Sequence, residues 1–132
     1  MKVLDHIGIA VGSLERRLAF YRALGLEAGA VEEVPSEELR VAFLPVEGTS
    51  IELLEPTGPG SPVAAFIARR GEGLHHICFR VADIRAAMAE LKAEGFELLA
   101  EEPRPGAHGC LVCFVHPRSA GGVLVELSQP GG

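Results

Sequence analysis

The feature that most constrains the fold is an internal repeat, which relates the two halves of the chain. Four pairs of segments match: LDHIGIAV at 4–11 with LHHICFRV at 74–81, Gly25-Leu26-Glu27 with Gly95-Phe96-Glu97, Ile51-Glu52-Leu53 with Val125-Glu126-Leu127, and VAFLP at 41–45 with VCFVHP at 112–117. The first two pairs share the offset that separates His6 from His76, whereas the third has the slightly larger offset that separates Glu52 from Glu126. The second copy therefore contains a few extra loop residues. A repeat of this length predicts two copies of one supersecondary unit that bury a common core.

Each copy has the pattern of a strand, a helix and three further strands. Ser13 and Asp83 are natural N-caps for the two helices, and Gly25 and Gly95 are natural stops. Further strands are predicted near 26–33, 38–46, 49–55, 96–100, 111–116 and 122–128.

Between the copies, a turn-rich segment is followed by a short helix that begins after Ser61. The predicted fold class is α+β, with two tandem βαβββ modules in a single domain, 1–132. Module one covers 1–56, the linker and short helix cover 57–72, and module two covers 73–132.

Composition excludes several classes of protein. The formal net charge of −6 argues against a nucleic-acid-binding face, which needs clustered Lys and Arg. No apolar run is long enough to cross a bilayer, and Asp5 and His6 interrupt the place where a signal peptide needs apolar residues. A cytoplasmic protein without a membrane or nucleic-acid partner is expected. Cys110 and Cys113 have C-x-x-C spacing but no second pair, so they are interpreted as ordinary small residues.

The alternation of the strands places four ionisable residues on matching faces. In each first strand the Ile, Phe and Val side chains share the face that the helix covers, and the His lies opposite. The same reasoning puts the Glu of each fourth strand opposite its apolar neighbours. The four residues are His6, Glu52, His76 and Glu126.

A lone His on a strand is usually structural, and a Glu in an Ile-Glu-Leu strand usually faces solvent. Their recurrence at equivalent positions instead favours one divalent metal site. Two imidazoles and two carboxylates suit Co²⁺, Mn²⁺, Ni²⁺, Zn²⁺ or Fe²⁺. Of these, Co²⁺ is the first expectation, with Mn²⁺, Ni²⁺ or Zn²⁺ as alternatives.

The segments around these residues resemble the vicinal oxygen chelate superfamily, and most closely its methylmalonyl-CoA epimerases. The resemblance covers essentially the whole chain and rests on four segments: LDHIGIAV, VAFLPVEGTSIELLEP, GLHHICFRV and HPRSAGGVLVELSQP. It implies that the paired modules form a concave, metal-binding mixed sheet, with the metal on the four residues named above. It also implies a homodimer that acts on a small-molecule CoA thioester.

The implied reaction is epimerisation of (R)- and (S)-methylmalonyl-CoA, by removal and return of the C2 proton through a metal-stabilised enolate. Glu126 matches the family's metal ligand that doubles as acid and base. Some members carry a second catalytic carboxylate on the strand aligned with 39–42, where this chain has Val41. Glu37 and Glu38 are expected in the preceding turn. Glu52, at a position where the family often has Gln, is therefore the candidate for the second proton carrier, on the condition that it shifts off the metal.

Three rival functions stay open. The ligand pattern is also that of bacterial glyoxalase I, which acts on a thiol hemithioacetal. An iron dioxygenase of the same superfamily uses two His and one carboxylate, so the second Glu argues against it. A drug-sequestering member lacks the metal ligands. The basic candidates for contacts with the CoA phosphates are Lys2, Arg69, Arg70, Arg104 and Arg118.

Overall fold

The computed structural model describes residues 3–131, and these form two compact units. One unit comprises residues 6–75, and the other combines residues 3–5 with 76–131. The strands are β1 (Val3–Ala10), β2 (Val31–Val34), β3 (Leu39–Val46), β4 (Thr49–Pro56), β5 (Gly73–Arg80), β6 (Arg104–Pro105), β7 (Leu111–Val115) and β8 (Val125–Gln129). The helices are α1 (Leu14–Ala23), α2 (Pro62–Arg70) and α3 (Ile84–Ala93), with short 3-10 helices at Pro35–Glu37, Ala107–Gly109 and Pro117–Ala120. The α+β class and the repeated strand, helix and three-strand order are confirmed.

In the first unit, the strands lie in the order β2-β3-β4-β1. β1 runs parallel to β4, and β3 is antiparallel to both β2 and β4. Helix α1 covers one face of this sheet, where Leu14, Leu44 and Leu53 are at most 1% exposed. Burying each such leucine contributes about 1.5–3 kcal/mol, so this cluster is a main source of the unit's stability.

Helix α2 packs on the other face of the same sheet. Its Val63 belongs to a buried cluster with Ala10, Val41 and Leu54. The predicted helix after Ser61 is confirmed: it runs from Pro62 to Arg70, and Ser61 caps it by accepting a hydrogen bond from the Val63 N–H. The face that carries Glu52 is therefore covered by apolar side chains at one end.

The second unit repeats this arrangement with the strand order β5-β8-β7-β6. β5 runs parallel to β8, and β7 is antiparallel to β8 and β6. Helix α3 contributes Ile84 and Met88 to a cluster with Cys113 and Leu127. Both helices thus cover the face that the alternation predicted.

The start of each long helix is held by the last strand of its own copy. The Leu14 N–H donates to Glu55 Oε2 at 2.9 Å, and the Ile84 N–H donates to Gln129 Oε1 at 2.9 Å. The predicted caps add to this, since Ser13 and Asp83 each accept a backbone N–H from the first turn. Two of the four otherwise unsatisfied N–H groups of each helix are therefore bonded, and the helix is fixed on its sheet.

Each of these helices ends just before a glycine with positive φ, as predicted. The φ angles are 92° at Gly25 and 89° at Gly95, a conformation that glycine adopts without steric cost. Among the helices of residues 3–131, none combines the length and the apolar character that a membrane span needs.

The predicted strand at 96–100 is wrong. Here the chain makes only an isolated bridge, between Leu98 and Val115, and the second strand of this copy is the short β6. Two backbone hydrogen bonds hold the segment beside β7, from His116 N–H to Glu97 O and from Leu99 N–H to Phe114 O. The following residues include Pro103, which has no N–H to donate to a ladder. The strands predicted at 26–33 and 122–128 also begin late, at Val31 and Val125.

Candidate functional site

The first His–Glu pair lies on the parallel strands β1 and β4. His6 Nδ1 is 3.0 Å from Glu52 Oε2, and the two side chains are 8% and 14% exposed. Glu52 stands beside Gly8 in the β1–β4 register, so a residue without a side chain leaves room next to the carboxylate. The predicted face is confirmed, because Ile51 and Leu53 pack toward α1 on the other side.

The second pair repeats this geometry on β5 and β8. His76 Nε2 is 3.0 Å from Glu126 Oε1, with side-chain exposures of 6% and 10%. Glu126 stands beside Cys78, the residue equivalent to Gly8. The structure therefore brings His6 to Glu52 in one unit and His76 to Glu126 in the other.

The donor atoms of each pair fit a divalent metal ion. Two ligands in adjacent positions of an octahedral ion, each about 2.1 Å from it, lie about 3.0 Å apart, which is the N–O distance in both pairs. Imidazole nitrogen and carboxylate oxygen are both ligands for first-row divalent ions. A buried carboxylate is costly unless a positive charge or hydrogen-bond donors compensate it, and a metal ion supplies such a charge.

The strand position that carries a second catalytic carboxylate in some superfamily members is apolar here. Val41 is 3% exposed and packs with Ala10, Leu54 and Val63. The nearby acids Glu37 and Glu38 lie in the turn before β3, as predicted.

Glu38 has a left-handed backbone, with φ of 50°, and its carboxylate lies against the linker. A Cβ atom at Gly58 or Gly60 would collide with that carboxylate. Glu38 therefore has a structural contact of its own, whereas Glu52 lies beside His6.

Sequence reasoning missed two aromatic residues beside these pairs. Phe43 is the cross-strand partner of Glu52 in β3–β4, and Phe114 is the partner of Glu126 in β7–β8. The match between VAFLP at 41–45 and VCFVHP at 112–117 was the available signal, because it places the two phenylalanines at equivalent positions.

The three cysteines are free thiols. Residues 3–131 contain no disulfide, and Cys78 and Cys113 are buried while Cys110 is half-buried. Burial, and then the negative charge of Glu126, raise the pKa of Cys113 to about 11. A thiol with such a pKa is a poor nucleophile at neutral pH.

Of the other histidines, His75 and His116 contact residues that do not belong to the two pairs. The His75 ring packs edge-on against Phe66, with 4.9 Å between ring centroids. His116 Nδ1 accepts the Arg118 backbone N–H at 3.1 Å, and His108 lies in a 3-10 helix with a φ of 58°.

Arg69 and Arg70, two of the basic candidates for phosphate contacts, are on α2, whereas Arg104 is on β6 and Arg118 is in the 3-10 helix at Pro117–Ala120. Lys2 lies outside the described residues. Arg118 donates to Glu97 at 3.3 Å, and the Arg70 guanidinium lies 5.9 Å from the centre of the Phe66 ring. These two arginines thus already have partners within the protein.

Comparison with known proteins gives close relatives over the whole length. Residues 5–114 match the Glyoxalase/Bleomycin resistance protein/Dioxygenase superfamily. The chain is 46% identical to the ethylmalonyl-CoA/methylmalonyl-CoA epimerase of Cereibacter sphaeroides, covering 96% of both chains. It is 42% identical to the mitochondrial methylmalonyl-CoA epimerase of Bos taurus, covering 96% of this chain and 73% of the relative.

A solved structure is similar throughout. A variant of the Streptomyces coelicolor methylmalonyl-CoA epimerase, in complex with 2-nitronate-propionyl-CoA, superposes with a TM-score of 0.91 at 38% identity and covers 98% of both chains.

Proposed function

Because the chain belongs to the Glyoxalase/Bleomycin resistance protein/Dioxygenase superfamily and, within it, to the methylmalonyl-CoA epimerases, we propose that it interconverts (R)- and (S)-methylmalonyl-CoA at a site formed by its two His–Glu pairs. The observation that carries this proposal is the duplicated pair, which offers from each copy one imidazole and one carboxylate that is at most 14% exposed. The substrate class is a CoA thioester, like the ligand of the Streptomyces coelicolor structure.

His6, Glu52, His76 and Glu126 would together hold one divalent ion, for which Co²⁺ is the first expectation and Mn²⁺, Ni²⁺ and Zn²⁺ are alternatives. This assignment is supported by the recurrence of the same residue types in both copies and by the N–O distances of 3.0 Å. When bound, such an ion supplies positive charge that stabilises the negative charge developing on the thioester oxygen.

The protein's own part in the reaction is to move one proton off C2 and to return one to the opposite face. The C2–H is weakly acidic because it lies between a thioester and a carboxylate. Glu126 is proposed as one proton carrier and Glu52 as the other, since inversion needs an acid and a base on different faces. The electron pair left by the departing proton takes up the returning proton, so the reaction needs no oxidant and no second substrate.

Burial of the two carboxylates supports this role. Glu52 and Glu126 are 14% and 10% exposed, so little water competes for the proton or screens the charges nearby. Each imidazole, 3.0 Å from its carboxylate, also limits where that carboxylate can turn. A carboxylate held in this way can reach a substrate proton with little reorganisation.

The test is exchange of deuterium into C2 of methylmalonyl-CoA, in heavy water with the Co²⁺-loaded protein. Glu126→Gln and Glu52→Gln should each lower the exchange rate about 10²-fold or more, the usual contribution of a general acid or base. Glu55→Gln is the matched control, because Glu55 lies on the same strand as Glu52 but bonds the start of α1. It should exchange at the wild-type rate.

Two outcomes would contradict the proposal. Absence of exchange by the loaded wild-type protein would overturn the epimerase function, and wild-type exchange by Glu126→Gln would remove Glu126 from the mechanism. Because the Cereibacter sphaeroides relative is named for both substrates, ethylmalonyl-CoA belongs in the same assay.

A glyoxalase I-type reaction is the second candidate, favoured by the superfamily match and by the same His and Glu set. Turnover of a thiol hemithioacetal, without exchange into the CoA ester, would support it instead. The homodimer, the cytoplasmic location and the single domain over 1–132 stay predictions. Light scattering of the purified protein measures directly whether it is a homodimer.

A further inference from the structure

The two copies place an aromatic ring at the same position beside each glutamate. Phe43 faces Glu52 across β3–β4, and Phe114 faces Glu126 across β7–β8. Side chains that are directly opposite in an antiparallel pair project from the same face, with Cβ atoms about 4.5–5.5 Å apart. Each ring therefore lies on the face of the sheet that carries the carboxylate. Both phenylalanines are half-buried.

The Phe114 ring also touches the histidine of its pair. The centroids of the Phe114 and His76 rings are 5.7 Å apart, and their planes meet at 85°. This is the edge-to-face arrangement that aromatic rings favour. β8 lies between the strands of these two residues, so the contact is made across the strand that carries Glu126. The ring thus contacts the imidazole, and its residue is the cross-strand neighbour of the glutamate.

A phenyl ring in this place can act only through its shape and its apolar surface. It has no hydrogen-bonding group with which to ligate an ion or carry a proton. It can restrict rotation of the imidazole plane, and it can keep water away from the carboxylate. Groups that orient the ligands of a metal site have a large effect on its affinity, even though they do not touch the ion.

We infer that Phe114 is a positioning residue for the His76–Glu126 pair, and that Phe43 has the same role beside Glu52. This inference rests on the proposed metal site. It adds a third repeated position to the site, so that each copy contributes a histidine, a glutamate and a phenylalanine. Its effect is on the orientation of the donors before any substrate binds.

The test is a Co²⁺ titration of the protein, followed by visible absorption and by calorimetry, with Phe114→Leu. The variant keeps an apolar side chain but loses the ring edge. Its Co²⁺ dissociation constant should rise about threefold to tenfold, the range of one aromatic pair. Its kcat should fall while its KM stays unchanged, because the ring orients protein groups rather than substrate. Phe114→Tyr, which keeps the ring, should restore both values.

Phe79→Leu is the matched control. Phe79 lies on β5 but packs in the cluster beneath α3, on the other face of the sheet. This variant loses a ring of the same size, so it should lower the unfolding temperature and leave the Co²⁺ affinity at the wild-type value.

The outcomes separate the inference from the function on which it rests. Absence of Co²⁺ binding by the wild-type protein would overturn the metal site and this inference with it. Wild-type affinity in Phe114→Leu, where the wild type binds Co²⁺, would overturn the positioning role alone. Equal weakening in Phe79→Leu and Phe114→Leu would show a general loosening of the unit, and would also contradict it.

Discussion

The carboxylate of Glu72 forms hydrogen bonds with helix α1 and with the turn that precedes it. It accepts hydrogen bonds from Arg17 Nε at 2.8 Å, from Arg17 Nη2 at 2.7 Å and from the Gly12 backbone N–H at 3.1 Å. Gly12 lies between β1 and α1, whereas Glu72 lies between α2 and β5. The Arg17 hydrogen bonds, followed by that of Gly12, lower the pKa of Glu72 from 4.5 to about 2.

This shift gives a stability that depends on pH. Because the pKa is lower in the folded protein, the unfolded chain binds more protons between pH 4.5 and about 2. The stabilisation is fully present above pH 4.5 and is lost as the pH falls toward 2. The full shift corresponds to about 3 kcal/mol. Since the Glu72 and Arg17 side chains are 35% and 44% exposed, solvent screening reduces the expected contribution to about 1 kcal/mol.

We expect Glu72→Gln to lower the free energy of unfolding by about 1 kcal/mol at pH 7, with a difference that shrinks below pH 4.5. Urea denaturation of both proteins at several pH values measures this difference. Glu90→Gln, at an exposed position on α3, removes the same charge and should have no comparable effect. A difference that is equal at pH 7 and pH 3, or absent at pH 7, would refute the reasoning.

Two further predictions concern groups that flank the His–Glu pairs. Glu55→Gln should lower the free energy of unfolding by less than about 1 kcal/mol, because Gln129 bonds the equivalent helix start through an amide oxygen. Glu55→Ala should lower it by about 1–2 kcal/mol. Equal losses for the two variants in urea denaturation would contradict this. At pH 8 a thiol reagent should modify Cys110 first, since Cys78 and Cys113 are buried and about one in a thousand Cys113 groups is a thiolate. Fast modification of three thiols in the folded protein would show that the burial is wrong.

The helices and the faces of the strands could be predicted because caps, glycine stops and the alternation of apolar residues are local features of the sequence. Ser13 and Gly25 mark the two ends of α1 through backbone hydrogen bonding and a positive φ, whatever the rest of the chain does. The failed strand at 96–100 depended instead on pairing with β7, which is distant in sequence. There the segment is followed by Pro103, which has no N–H to donate, and two backbone hydrogen bonds beside β7 take the place of a continuous ladder.

The packing of α2 shows a second limit of the same kind. The Ser61 cap and the following apolar residues predict a helix, but nothing local indicates which surface it will cover. The structure places Val63 against Val41 and Leu54, on the face that carries Glu52. The position that has a carboxylate in some superfamily members is thereby part of an apolar cluster, which limits the proton carriers available in this unit.

The alternation of the strands predicted the face on which each His and Glu lies, but it could not predict which histidine nitrogen lies beside each glutamate. His6 presents Nδ1 to its glutamate, whereas His76 presents Nε2. The choice of nitrogen depends on the rotation of each ring within its surroundings, and Phe114 packs against the ring of His76. A phenylalanine in a strand is ordinarily interpreted as core, so this contact is visible only in the structure.

The difference between the surroundings of the two glutamates bears on how a duplicated chain could catalyse an inversion. Duplication supplies the same carboxylate twice, and epimerisation needs two proton carriers, so under the proposed mechanism Glu52 and Glu126 would provide the right number of groups. The surroundings of the two carboxylates have since diverged: Glu52 stands beside Gly8, whereas Glu126 stands beside Cys78. Two carriers with identical surroundings would contribute equally to the reaction, whereas different neighbours allow unequal contributions. Exchange rates of Glu52→Gln and Glu126→Gln, measured from each enantiomer, should therefore fall unequally. Equal losses from both enantiomers in both variants would show that the two copies act as equivalent carriers.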